Sequence, residues 1–542
     1  MPPEPIVGLR RWREALLIGA LALLAIVILF AAQQPGVFGL YNDDGDYLKG
    51  AEAIAHGYGY LDFNDPKLPQ MPRYPIGLPA LLAPLAWAFH DWWALVFSAK
   101  MLIGAIAIGF VLACYAYLRR WAGASPMVAG LVTALVAVNT AFIEFGTSIM
   151  SDLPYAFLAV LTMLAVEPLL EREGRHLGHE LLVATMVVAT CLVRYAGIAL
   201  VVAVVVALLH RRQTARLGRV AAMGAVLWLP WALYRMGFSM ATNYGLEFLT
   251  AQHDSLNSAR FWVNASASVF HLCVEGIPAL VLPLEALHYL MPTLPPMVWV
   301  GLGLVIAAAV ILVVWNWLVE RLGEPGRSIL CPLYVGTTLA MVVVWNSAYT
   351  GLGVWQHVRL MLPVLPFLLF LGIRDLDRFG GLRRWGMAAA TAGLLLAFAW
   401  QAKGVIDNRN NPATQTWDAY EQMTAAVDRL TPKDAVVLTW YPPLYNLLAH
   451  RRAIQFPDSP KELIARLMAF PITFIVSSPN YELNGNDRNH EMVSGLQAAL
   501  PGVLRLVVSN PRTQQELYQI NRKELRKKVL EMSRHRRSHD AV

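Results

Sequence analysis

Through the first three-quarters of the chain, apolar residues recur in long runs, each closed by a small group of arginines. Leu16–Ala32, Met101–Leu118 and Val298–Val319 have the length a helix needs to cross a bilayer, about 20 residues. The arginine groups are Arg10–Arg13, Arg119-Arg120, Arg172 with Arg175, Arg211 to Arg219, Arg321 with Arg327, and Arg374 to Arg384. Placing every group in the cytoplasm traces one path through about eleven spans. That path leaves Gln33–Asp91, Glu144–Asp152, the turn at Arg194-Tyr195, Gly237–Ser268, Asn346–Arg359 and everything after about Gln401 on the opposite side. Gly77–Phe89 and His271–Met291 are too short or too interrupted to span and read as interfacial segments. Leu181–Leu209 reads as two short spans joined at Arg194. The first run lacks an A-x-A site after it and reads as an uncleaved helix.

After Lys403 the period changes. Thr416–Leu430 and Lys461–Ala469 have helical spacing, whereas Ala435–Trp440, Ile472–Ser477 and Val503–Val508 are strand-like. The fold class expected is an α-helical polytopic membrane protein of about 11 transmembrane helices with a small C-terminal α/β domain. Residues 1–402 form the membrane module, with an outer loop at 33–91, and residues 403–520 form the α/β domain. The basic remainder, 521–542, reads as a solvated and partly disordered tail.

Composition agrees with the pattern. Of 542 residues, 56% are hydrophobic and 15% charged, against about 25% charged in soluble domains. The net charge of +7 comes from topology arginines and the tail, so it carries no argument for nucleic acid. Cys114, Cys191, Cys273 and Cys331 form neither a disulfide framework nor a CxxC pair. There is no P-loop and no HExxH.

Candidate chemistry gathers in the outer segments. Tyr41-Asn42-Asp43-Asp44-Gly45-Asp46-Tyr47-Leu48 puts two carboxylates in front of Tyr47–His56, which has an apolar face at helical spacing. A carboxylate dehydrated beside the membrane can act as general base toward a hydroxyl; the plain alternative is that Asp44 caps a helix starting at Asp46. Arg73, Arg194, His357 and Arg359 lie where the positive-inside rule would not put them. Arg194, in Leu192-Val193-Arg194-Tyr195-Ala196, is a cation at membrane depth, which is normally paired or functional. It either helps hold a phosphate or pairs with Glu144 or Asp152. Arg359 either binds phosphate with His357 or snorkels from a helix end. Asp152, two residues before Pro154, fits a helix start; Glu144 is placed to bind sugar hydroxyls or orient Arg73 or Arg194. Asp43 and Asp44 lack a third ligand at a convincing spacing, so a divalent metal is not expected. Trp440, Tyr441 and Tyr445 either stack on a glycan or pack the terminal domain onto the membrane part.

Asp43-Asp44 followed by Tyr47 resembles the acidic pair and tyrosine in the first outer loop of C-type (GT-C) glycosyltransferases, nearest the protein mannosyltransferase and lipid A aminoarabinose transferase branch. Arg73-Tyr74-Pro75-Ile76-Gly77 resembles the element that closes that loop. Ser151-Asp152-Leu153-Pro154-Tyr155 and His357-Val358-Arg359-Leu360-Met361-Leu362-Pro363 resemble later landmarks, the second at a phosphate-contacting position. Two departures stand out: Asp44 replaces the usual Glu, and the closing element lacks the lysine of the aminoarabinose branch.

The resemblance implies an inverting transfer of a sugar from a polyprenyl-phosphate donor to an extracytoplasmic lipid, glycan or protein. It makes Asp43 the base with Asp44 beside it, and Tyr47, Arg73, Tyr74, Glu144, Asp152, Arg194, Tyr195, His357 and Arg359 the substrate contacts. No nucleotide or other cofactor is required. The partners implied are the lipid-linked sugar, an unidentified acceptor and membrane lipids, with the site and terminal domain outside the inner membrane. The alternatives are a transporter or flippase of lipid-linked sugars, whose site would lie near the bilayer midplane, and an oligosaccharide transferase using a pyrophosphate donor.

Overall fold

The computed structural model describes residues 5–33, 43–61, 74–171, 174–237, 259–277, 296–323, 329–348, 354–376, 412–457, 459–478, 488–511 and 514–539, with a few positions between them. The chain divides into two compact units. One comprises Met1–Gln34, Arg73–Leu78 and Ser98–Ile406; the other comprises Pro35–Pro72, Pro79–Phe97 and Asp407–Val542.

The helices up to residue 376 are α1 (Pro5–Ala32), α2 (Asp43–Ala55), α3 (Gly77–Ala88), α4 (Trp92–Tyr117), α5 (Pro126–Ala137), α6 (Thr140–Thr147), α7 (Asp152–Glu171), α8 (Leu177–Val193), α9 (Ile198–His210), α10 (Thr214–Met236), α11 (Ala259–His271), α12 (Pro296–Gly323), α13 (Leu330–Ala348), α14 (Val354–Met361) and α15 (Leu365–Leu376). Among the described residues, four helices are long and apolar enough to cross a membrane, or five if α5 and α6 form one span bent by 59°. Asn139 makes that bend, capping α6 by accepting the Ala141 N–H at 3.0 Å. Shorter apolar helices, including α8, α3 and parts of α12 and α13, add to these. Of the expected interfacial segments, Gly77–Phe89 is the helix α3, while most of His271–Met291 lies outside the described residues.

Arginines of three basic clusters pair with carboxylates inside the first unit. Arg119 meets Glu14 at 2.8 Å, Arg219 meets Glu180 at 2.6 Å, and Arg374 meets Glu320 at 2.7 Å. Arg216 donates to the carbonyls of Leu169 and Gly174 at the C-terminal end of α7. Asp152 begins α7 at its other end, so about 26 Å of helix separates it from Leu169, close to one hydrocarbon thickness.

In the second unit the chain continues as α16 (Pro412–Leu430), β1 (Val436–Thr439), α17 (Pro442–Leu448), β2 (Arg452–Gln455), α18 (Pro460–Ala469), β3 (Phe474–Ser477), α19 (Arg488–Ala499), β4 (Leu504–Asn510), β5 (Gln515–Ile520) and α20 (Arg522–His539). The strands order as β2-β1-β3-β5-β4. β1 runs parallel to β2 and β3, and β5 runs antiparallel to β3 and β4. Leu438, Leu463, Leu467, Ile475, Val493 and Leu496 fill the core under it. The tail differs from expectation: residues 522–539 are helical. Asn521 caps that helix by accepting the Glu524 N–H at 3.2 Å, and Leu525 is fully buried, with Val529 one turn on packed against the same core. Two apolar residues at i and i+4 and a good cap outweigh the tail's dense positive charge.

The helix after the acidic pair also starts earlier than expected, at Asp43 instead of Asp46. Its buried face, Asp44, Tyr47, Leu48 and Ala51, repeats at helical spacing. α2 packs on α17 with almost no clearance: a Cβ at Gly45 would come within 2.6 Å of Pro443 Cβ. Further along α2, burial pushes the Glu52 carboxyl from 4.5 up to about 7. The folded chain therefore holds a proton that the unfolded chain releases, and stability falls as pH rises between those values, by at most about 1.4 kcal/mol per unit. Glu52→Gln is expected to flatten this part of the stability profile and to raise the melting temperature at pH 8. Thermal melts from pH 5 to 8 check it; an unchanged slope would reject the assignment.

Candidate active site

Arg194 occupies the break between α8 and α9. Its backbone is extended (φ −153°, ψ 132°), and a single turn of 3-10 helix at Tyr195–Gly197 leads into α9. The two short spans joined at Arg194 are thus present. Two contacts fix the break. Tyr155 of α7 donates its hydroxyl hydrogen to the Ala196 carbonyl at 3.1 Å. Gly77, the last residue of the Arg73–Gly77 element, lies against the chain just before Arg194. A Cβ there would come within 2.6 Å of the Leu192 carbonyl carbon and oxygen and 2.7 Å of the Val193 nitrogen. Backbone cannot yield as a flexible side chain does, so Gly77→Ala should displace Leu192–Val193 and Arg194 with them. The expected cost is about 1–3 kcal/mol of stability and a several-fold rise in the KM for substrate; an unaltered KM would detach Gly77 from the site.

Three charged side chains meet at this end of the first unit. The Asp152 carboxylate has no solvent exposure, and the Arg194 Nη1 lies 2.9 Å from its Oδ1. Arg359 approaches side-on, Nε to Oδ1 and Nη2 to Oδ2, both at 3.3 Å. Arg194 also donates to the Ser151 hydroxyl at 3.1 Å. The Arg359 guanidinium stands 5.7 Å from the Phe145 ring centre, a distance at which the ring face attracts a cation. Two guanidiniums and one carboxylate leave the trio with one net positive charge. Each guanidinium keeps some exposure, 16% for Arg194 and 12% for Arg359, while the carboxylate has none. The carboxylate is therefore the internal brace and the arginines are the face it presents.

This settles the pairing question for the first unit. Arg194 pairs with Asp152, and Arg359 is held by the same carboxylate instead of snorkelling. Asp152 does begin a helix, as its spacing with Pro154 suggested, but its carboxylate serves the arginines. Glu144 sits half-buried on α6, and the carboxylate that meets Arg194 is that of Asp152. Tyr195 turns away to a different cation: its hydroxyl oxygen accepts from Arg235 Nη1 at 2.7 Å. Arg73 and the side chain of His357 lie outside the described residues. Tyr74 is half-buried at the start of the α3 segment.

Asp43, Asp44 and Tyr47 lie in the second unit, together in the first turns of α2. Asp44 and Tyr47 are buried, at 3% and 2% exposure, while Asp43 is half-exposed. Asp44 Oδ1 accepts the Gly45 N–H at 2.8 Å, and Asp43 is the more exposed of the pair. Tyr441 and Tyr445 are buried in the terminal domain, with Tyr441 edge-on to Tyr420 at 5.6 Å; they pack that unit.

Two features escaped the sequence. Arg235 closes α10 and lies 5.4 Å from the Tyr195 ring centre and 5.8 Å from that of Trp231. The rule that singled out Arg194, a cation on the side away from the basic clusters, also applies to Arg235. An apolar groove of about 900 Å³ runs between α8, α9, α10 and α13, lined by Val188, Val201, Leu208, Val220, Trp228 and Trp345 among others. Arg235 and Tyr195 are its polar residues. Nothing in a single sequence reveals that four apolar helices part from one another. Among the described residues, no group of three His, Cys, Asp or Glu side chains comes together in a form that would hold a metal ion.

No family model matches the sequence, and no curated protein matches it. Solved structures do. ArnT from Cupriavidus metallidurans, solved bound to undecaprenyl phosphate, superposes with a TM-score of 0.54 at 11% identity, covering 93% of this chain and 97% of its own. The apo oligosaccharyltransferase of Archaeoglobus fulgidus superposes with a TM-score of 0.57 at 12% identity, covering 86% of this chain and 69% of its own. Both are membrane proteins of the C-type glycosyltransferase superfamily. At these identities the likeness is one of fold, and it extends over nearly the whole chain: the protein is a multi-pass membrane protein with the GT-C fold.

Proposed function

We propose that the protein is an inverting glycosyltransferase that takes a sugar from a polyprenyl-phosphate donor and gives it to an extracytoplasmic acceptor. The observation that carries this is the pair of arginines braced by one buried carboxylate at a membrane-end of the helix bundle. An anion of phosphate size suits such a pair, because guanidinium forks donate two parallel hydrogen bonds to phosphate oxygens. The apolar groove beginning at Tyr195, next to Arg194 in the chain, supports the reading, since a lipid-linked donor needs room for hydrocarbon.

The proposed chemistry is a single displacement. The acceptor hydroxyl attacks the anomeric carbon and its proton passes to Asp43. The bond from that carbon to the phosphate oxygen breaks, and polyprenyl phosphate leaves with the electron pair. Arg194 and Arg359 stabilise the charge growing on the leaving phosphate. Guanidinium groups do this without a metal, so the proposal assigns no divalent ion to the reaction.

The test is turnover of a panel of polyprenyl-phosphate sugars by purified protein in nanodiscs, with and without EDTA, and with the product configuration read by NMR. The reading expects one donor to be consumed with inverted configuration at equal rates in both buffers. Arg194→Gln and Arg359→Gln should each raise the KM for that donor at least tenfold. A retained configuration would overturn the single displacement, and loss of rate in EDTA would overturn metal independence.

A further inference from the structure

The second unit holds buried polar groups that the proposed displacement does not use. β1 is the reversal point of its sheet: α17 carries the chain from β1 to β2 on one side, and α18 brings it back to β3 on the other. In open α/β sheets such a reversal opens a crevice beyond the carboxyl ends of the strands, where ligands bind.

The residues that follow β1 and β3 supply unsatisfied hydrogen-bonding atoms. Trp440 comes directly after β1, and its buried indole Nε1 has no hydrogen-bond partner among the described residues. Asn446, on α17, is 7% exposed, and neither its Oδ1 nor its Nδ2 has such a partner. Asn489, at the start of α19, is 2% exposed, and its Oδ1 also lacks one. Ser477, the last residue of β3, is fully buried and shares a hydrogen bond with His490 Nδ1 at 3.2 Å. A buried polar group without a partner typically costs about 1–3 kcal/mol. Two asparagines and an indole in that state, on the segments that follow β1 and β3, call for a ligand that satisfies them.

The position of Asn446 points to which ligand. It follows Pro443 by three residues and so shares its face of α17. That face packs on α2, where a Cβ at Gly45 would meet Pro443 at 2.6 Å. Gly45 directly follows Asp43-Asp44. Asn446 therefore lies on the α17 face that packs beside the acidic pair.

We propose that this crevice binds the acceptor through a neutral, hydroxyl-rich group, a sugar ring, and presents its hydroxyl to the acidic pair. An amide offers a donor and an acceptor side by side, which matches neighbouring hydroxyls, and an indole N–H adds a further donor. These three side chains carry no charge, which fits a neutral ring better than a phosphate or an amine. The proposal rests on the reading that α2 carries the catalytic base.

The test uses the full-length protein in nanodiscs and saturation-transfer NMR with methyl glycosides of glucose, galactose, mannose and arabinose. The wild type should bind at least one of them, and Asn446→Leu should weaken it tenfold or more. The same variant should melt at or above the wild-type temperature, because it removes an unpartnered buried amide. Trp440→Phe, which removes the indole N–H together with part of the ring, should also weaken binding and serves if the leucine variant does not fold. No glycoside bound by the wild type, or equal binding by both variants, would overturn the site. Donor turnover by the wild type is measured separately. Glycoside binding lost in the variants, with no donor consumed by the wild type, would leave this site standing and remove the transferase reading.

Discussion

Asp152→Asn is expected to be the most damaging single substitution in the membrane part, costing about 3–5 kcal/mol of stability and abolishing donor turnover. The carboxylate has no exposure and holds Arg194 at 2.9 Å and Arg359 at 3.3 Å. Neutralising it leaves two positive groups facing each other without the carboxylate they share. The asparagine keeps the shape, so the effect isolates charge. Adding Arg359→Gln to Asp152→Asn should restore much of the stability, since one cation is then removed with the anion, but it should restore no turnover. That split between melting temperature and activity separates a brace from a mere structural ion pair. A variant Asp152→Asn that melts and turns over like the wild type would reject the brace.

Asp43→Asn is expected to slow transfer by about 10²–10⁴ while leaving the fold nearly intact. Asp43 is half-exposed in the first turn of α2, so losing its charge costs roughly the 0.3–1 kcal/mol that an acidic residue gains at a helix N-terminus. Donor KM should change little, because the base acts on the acceptor. Asp44→Asn is the internal comparison. Its Oδ1 accepts from the Gly45 backbone, and an asparagine oxygen can do the same, so a smaller loss of rate is expected. Single-turnover kinetics with both variants decide the assignment. A full rate in Asp43→Asn with a large loss in Asp44→Asn would move the base by one residue.

The sequence reveals those parts of the structure in which local pattern and physical necessity coincide. Arg194 inside an apolar run marks a break because a guanidinium at membrane depth must find a partner, and the break and the partner are both there. The three strands at Val436–Thr439, Phe474–Ser477 and Leu504–Asn510 are visible because hydrophobic β-branched residues cluster in them. β2, Arg-Ala-Ile-Gln, is four residues with one buried apolar side chain, too little to register as a pattern. The helical tail was hidden by its own charge, since Leu525 contributes one buried residue to a segment dominated by lysine and arginine. Asp152 was read as a helix start, which it is; its hold on Arg359 spans 207 positions of chain, and no local rule reaches that far. Gly77 belonged to a recognisable element, yet the reason for a glycine there is the Leu192–Val193 backbone, visible only in three dimensions.

The central claim is that the braced arginines serve a sugar on a single lipid-linked phosphate. The direct measurement offers the purified protein two donors with the same sugar and the same polyprenyl chain, one linked through phosphate and one through pyrophosphate. Release of the free lipid phosphate is then followed with the wild type and with Arg194→Gln. The account expects the monophosphate donor to be consumed, the pyrophosphate donor to be left, and consumption to fall at least tenfold in the variant. Consumption of the pyrophosphate donor alone, or of neither donor by well-folded protein, would contradict it.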